Sequence, residues 1–163
     1  MPERDLQIEE DLQFQERAWV VQRVGWGVML LLVVATIAGV FGEGALSSAT
    51  VGDAKQLKIE HERFVHYLTP TVLKIHVRAG PEDKKLQVRI NSGFMQAVKV
   101  DNVVPQPASV ETGDQWLSYN FTVETPGQVT IRIDLTPETI GRLSATINSG
   151  HGEPLSFRQF VYP

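Results

Sequence analysis

The chain has 163 residues, no cysteine, and 15 Lys+Arg against 19 Asp+Glu, for a formal net charge of −4. That length holds one ordinary domain and one appendage. The missing cysteines exclude a disulfide framework, thiolate metal sites and a Cys nucleophile, and the acidic balance argues against a nucleic-acid partner, which needs a dense basic face.

Residues 1–23 carry six acids, Glu3, Asp5, Glu9, Glu10, Asp11 and Glu16, against Arg4, Arg17 and Arg23. Anionic lipid repels such a segment. Phe14, Ala18, Val21 and Gly25 recur at helical spacing, so the tail is expected to be helical from near Leu6 into the next segment.

Residues 24–42, VGWGVMLLLVVATIAGVFG, hold no ionisable side chain. At 1.5 Å per residue they reach roughly 28 Å, close to the hydrocarbon thickness of a bilayer. The expectation is a transmembrane helix. Arg17 and Arg23 precede it closely, whereas the first cations after it are Lys55 and Lys58, so the N-terminus is expected in the cytoplasm and the rest outside the plasma membrane. A cleaved signal peptide competes, because Ser47-Ser48-Ala49 looks like a cleavage site; the long apolar run and the 23 residues before it favour a retained anchor. Ala35 with Gly39, and Ala38 with Gly42, make small-xxx-small pairs through which a second helix, from a partner or another copy, could approach.

Residues 43–54, EGALSSATVGDA, read as a linker. Over 55–163 the apolar period becomes two: Leu73, Ile75, Val77; Leu86, Val88, Ile90; Leu117, Tyr119, Phe121, Val123; Val129, Ile131, Ile133, Leu135; Leu143, Ala145, Ile147. Turn residues separate the runs, as at Gly80-Pro81 and Pro126-Gly127. Seven or eight half-buried strands are expected in an antiparallel, immunoglobulin-like β-sandwich. Two hairpins are specified further. Across ETPGQ, Phe121 should face Ile131 and Tyr119 should face Ile133. A turn at Pro70 and Thr71 should pair Val65 with Val77, setting His66 opposite His76. Thr136-Pro137-Glu138 reads as the start of a short helical turn.

The histidines His61, His66, His76 and His151 are the only nitrogen donors suited to a metal, and His66 with His76 is the one pair the expected register would bring together. Their spacing matches no ligand motif, so no metal or other cofactor is expected. No nucleophile elbow or placed acid–base pair is present, and the reading is non-catalytic. Asn120-Phe121-Thr122 fits a glycosylation acceptor but falls inside an expected strand. In the C-terminal LSFRQFVYP, alternation sends Phe157 and Val161 to one face and Phe160 and Tyr162 to the other. Phe160 and Tyr162, with the indole of Trp116, are therefore candidate partner contacts.

The segments DLQFQERAWVVQRVGW, HERF and FRQFVYP resemble an uncharacterised family of small bacterial single-pass membrane proteins with a C-terminal extracytoplasmic β-domain. The resemblance implies no activity and no site residues. It does imply an integral membrane partner, since relatives are often encoded near a multi-pass membrane protein. The expected function is an accessory or assembly subunit docking through its helix and outer domain; the alternative is a tethered module binding a metal or glycan.

Overall fold

The structure, a computed structural model, describes residues 12–37, 47–53, 56–150 and 152–163. The chain divides into two compact units, a helix and a β-sandwich.

The helix, α1, runs without a break over Leu12–Ile37. Residues Arg17–Ile37 have a mean hydropathy of 1.9 in their most apolar window, none of which is buried. The length and composition suffice to cross a membrane. Near its start the Arg23 guanidinium lies 3.8 Å from the centre of the Trp19 ring, a cation–π contact one turn apart. The Thr36 hydroxyl donates to the Leu32 carbonyl at 2.8 Å, so the span's one hydroxyl is satisfied within the helix and asks nothing of lipid or neighbour. The expected start near Leu6 lies outside the described residues.

Eleven strands form the sandwich among the described residues, more than the seven or eight expected. They are β1 Ser48–Asp53, β2 Leu57–Glu62, β3 Phe64–His66, β4 Thr71–Ala79, β5 Lys85–Asn91, β6 Val98–Val104, β7 Ser109–Thr112, β8 Trp116–Thr122, β9 Gly127–Pro137, β10 Gly141–Asn148 and β11 Leu155–Tyr162. The first sheet has the order β1-β2-β4-β9-β6 and the second β3-β11-β10-β5-β8-β7. Neighbours are antiparallel except β3 and β11, which run parallel.

The core lies between the sheets. Along β4 buried and less buried residues alternate, and its ladder with β9 pairs Leu73 with Ile133, Ile75 with Ile131 and Val77 with Val129. Opposite them stand Leu86, Val88 and Ile90 of β5, Tyr119 and Phe121 of β8, and Ala145 and Ile147 of β10, all buried. β-branched side chains suit both the pleat and a half-buried surface. Each large side chain fully removed from water contributes roughly 1.5–3 kcal/mol. A single helical turn, α2 over Ser92–Met95, carries the chain from β5 to β6 and places Phe94 edge-on to Phe157 with ring centres 5.8 Å apart. Ser92-Gly93 reads as a turn in sequence, and the buried Phe94 is what makes that turn a plug for the core.

Four expectations are corrected. The β8–β9 hairpin does not form: Phe121 and Tyr119 pair with Leu86 and Val88 of β5, while β9 joins the other sheet. Phe121 and Ile131 do both face the core, but from opposite walls, because inward alternation is the same whether two strands pair or oppose each other. The expected pairing of Val65 with Val77 is replaced by Val65 with Val161 and Val77 with Leu57. His66 and His76 therefore sit in different sheets.

The helical turn expected to start at Thr136-Pro137-Glu138 does not form; Thr136 and Pro137 are the last residues of strand β9 instead. The Thr136 hydroxyl donates to Asp101 at 2.6 Å. Pro137 ends β9 opposite Val98, its carbonyl accepting the Leu68 N–H at 3.1 Å, so the missing proline donor falls where the ladder stops.

The fourth correction concerns 43–54, of which Ser48–Asp53 is an edge strand paired with β2. Gly52 is required there. Its φ is +93°, and a Cβ would strike the Leu57 carbonyl and the Leu155 side chain. Gly52→Ala should cost about 1–3 kcal/mol, read as a fall in Tm of the sandwich. A Tm equal to that of the native chain would return this segment to linker.

Candidate functional site

The candidate surface gathers where the chain changes sheets. β2 belongs to the first sheet and β3, one residue on, to the second, so the chain bends at Arg63 as it passes from one wall to the other. Backbone bonds fix it: the Arg63 N–H donates to the Ser47 carbonyl at 2.6 Å, and the Arg63 carbonyl accepts from the Phe160 N–H at 2.8 Å. The Ser47 hydroxyl donates to the Phe64 carbonyl at 3.3 Å, and the Gln159 side-chain amide donates to the Glu62 carbonyl at 2.9 Å. Ser47 is itself buried, at 1% exposure.

Under this junction lies a polar seam in the core. His61 continues the inward series Leu57, Ile59 and is 5% exposed. Its ring lies over Phe157, centres 4.2 Å apart. Burial, with the nearby positive charge of Arg63, pulls its pKa down to about 4, against a hydrogen bond to the Arg158 carbonyl that favours the proton. Nδ1 has no hydrogen-bond partner in the structure. With its pKa held that low, the imidazole is neutral at ordinary pH.

Above the junction the outer face of the second sheet is aromatic and cationic. Phe160 has Phe64 on one side in register and Arg142 on the other. The two phenylalanines stay 42% and 44% exposed. In the next row Tyr162 meets His66 edge-on, ring centres 5.2 Å apart. His66 Nδ1 is 2.8 Å from the Tyr67 carbonyl, which fixes a proton on that nitrogen.

The other expected residues are elsewhere. His76 stands on the outer face of the first sheet, Nδ1 at 2.9 Å from the Thr130 hydroxyl and Nε2 at 3.4 Å from Glu60. Glu60 in turn takes Lys58 at 2.6 Å, and the Lys58 ammonium is the main reason its carboxyl is pushed below the ordinary carboxylate range. His66 and His76 do not converge, and among the described residues no three His, Asp or Glu are grouped to hold a metal. His151, Gly39 and Gly42 lie outside the described residues. Ala35 is partly exposed on α1, and Trp116, expected as an exposed indole, is half-buried at the start of β8. The Asn120 carboxamide ties three strands together, donating to Ser109 and Glu111 and accepting from Gln87.

Sequence reasoning missed Phe64, Arg142 and Arg158 as neighbours of Phe160, and His61 as a core residue. The signal for His61 was present: Leu57, Ile59 and His61 share one period-two face.

No family model and no curated protein matches the chain. Among solved structures, a cohesin module of a family 33 glycoside hydrolase from Clostridium perfringens is similar, with a TM-score of 0.38 and 13% identity, covering 69% of this chain and 98% of that one. A likeness of that size carries no functional argument.

The buried histidine sets an acid limit on stability. Native His61 takes a proton only below about 4, whereas in the unfolded chain it does so below about 6.5. Between these values the unfolded state binds more protons, so stability is whole above the upper value and falls as pH drops. Between pH 7 and about 4.5 this group should cost roughly 2–3 kcal/mol. Urea unfolding of the native chain and of His61→Phe at both pH values should show a smaller acid loss in the variant; equal losses would contradict a buried neutral His61.

Proposed function

We propose that the protein is a non-catalytic, single-pass membrane accessory or assembly subunit. Its N-terminus lies in the cytoplasm and its β-sandwich outside the plasma membrane, and it docks on an integral membrane partner through α1 and the outer domain. The observation that carries this reading is an apolar helix with none of its spanning window buried, joined to a sandwich that has its own closed core. Lipid or another membrane helix is the cover such a surface needs.

Retention of the helix is supported by β1. Cleavage near Ser47-Ser48-Ala49 would cut away the buried Ser47 and its bond to Arg63 and shorten the strand that pairs Ala49 with His61. Orientation is supported by Arg17 and Arg23 before the span, with Trp19 and Arg23 stacked at that end.

An immunoglobulin-like class for the sandwich is supported by strand order. β2-β4-β9-β6 follows the A-B-E-D arrangement and β11-β10-β5 the G-F-C arrangement, with the β7–β8 hairpin added beside β5. A docking role is favoured over metal binding because His66 and His76 belong to separate sheets. The outer domain keeps Trp116 half-buried at the start of β8 in the second sheet, an aromatic residue that a docked partner could cover.

Purification of the full chain in mild detergent should bring down a stoichiometric integral membrane polypeptide. Ala35→Leu, which thickens the helix where Ala35 lies, should lower its recovery by roughly 3- to 30-fold. A lone protomer, or only a second copy of this chain, would overturn docking on a separate partner.

A further inference from the structure

The outward positions of β3, β11 and β10 combine aromatic rings with arginines. Phe64, Phe160 and Arg142 form one row, and Arg158 stands beside Ser144 in the row below. Arg63, Arg142 and Arg158 are all exposed, and none makes an ion pair among the described residues. The outward residues of these strands include no Asp or Glu. In a chain of formal net charge −4, Arg142 and Arg158 therefore share an outer face with two exposed phenylalanine rings, with the exposed Arg63 next to Phe64 in the chain and no acid at the outward positions of these strands.

This patch is also where the polypeptide enters the sandwich. Ser47 bonds both Arg63 and Phe64, and residues 38–46 are all that separate it from the end of α1 at Ile37. Even fully extended, that stretch reaches only about 35 Å.

We propose that Phe64, Phe160, Arg63, Arg142 and Arg158 rest on the anionic phospholipid headgroup layer of the membrane that α1 crosses. Guanidinium groups bind phosphate through paired N–H donors, and Phe rings enter the boundary between headgroups and acyl chains. Two rings offer little area for a stable protein interface, whereas a few rings and cations suffice for a surface already tethered to its bilayer. The assignment rests on the membrane-anchored reading above and leaves the Trp116 side of the sheet to the partner.

The absence of cysteine makes a clean test available. The full chain carrying Ser144→Cys, labelled with a fluorophore, is placed in lipid discs of phosphatidylcholine alone or with phosphatidylglycerol added, each doped with a nitroxide headgroup quencher. Gln128→Cys, on the outer face of the first sheet, is the control. Quenching at position 144 should appear when phosphatidylglycerol is present and stay absent at position 128. Arg142→Glu with Arg158→Glu should reverse it, each arginine changing association about fivefold. Phe160→Ser should weaken it with the sandwich still folded by circular dichroism. Equal quenching at both positions, or quenching at 144 that ignores phosphatidylglycerol or the arginine reversals, would overturn the proposal. So would protection of position 144 that arises only when an integral membrane protein is added. The discs contain no partner, so this result and the copurification result stand or fall separately.

Discussion

A helix whose hydrogen bonds are all made internally can enter lipid, but its side chains still need something apolar to touch. In α1 the spanning window contributes nothing to a protein core, and even the Thr36 hydroxyl is turned back onto the Leu32 carbonyl. This unmet need for cover is the constraint from which the functional reading follows. It explains the lack of charge from Val24 to Gly42, and it makes whatever surrounds the helix the first question about the protein.

The sandwich meets the opposite condition. Its inner faces are covered by each other, with Ile59, Ile75, Val77, Leu86, Ile90, Ile131 and Ile147 all closed from water, and part of its outer polar chemistry is spent in short pairs between alternate residues of one strand, such as Lys58 with Glu60, Lys99 with Asp101 and Arg132 with Asp134. Such exposed pairs contribute little stability each, but they leave those strand faces occupied and hydrated. The β2–β3 crossing is different. There the chain gives up pairing in one sheet to pair in the other, buries Ser47, His61 and Gln159 beneath the crossing, and leaves arginines and aromatic rings above it. Entry of the chain, the polar seam and the exposed row are thus consequences of one change of sheet.

Much of the fold was legible because burial imposes a period. The runs at Leu73–Val77, Leu86–Ile90, Ile131–Leu135 and Leu143–Ile147 became strands with those residues inward. What alternation cannot encode is which wall a strand belongs to. Tyr119 and Ile131 read identically as inward residues, and only the completed pairing separates β8 from β9. The same ambiguity set His66 against His76. Composition misled at β1, where SATVGD has the small polar look of a linker but is held by its ladder to β2 and by Gly52 packed under Leu57. At the candidate surface, Phe160 was legible from alternation in β11, while its neighbours Phe64 and Arg142 come from distant sequence and depend on long-range register.

The claim beneath all of this is that the apolar helix stays in the mature chain and lies in lipid. Alkaline carbonate washing of membranes that contain the full-length protein tests it most directly. The account predicts that the intact chain remains with the sedimented bilayer. Release of the chain into the supernatant, or recovery of only a shortened form beginning near β1, would contradict it.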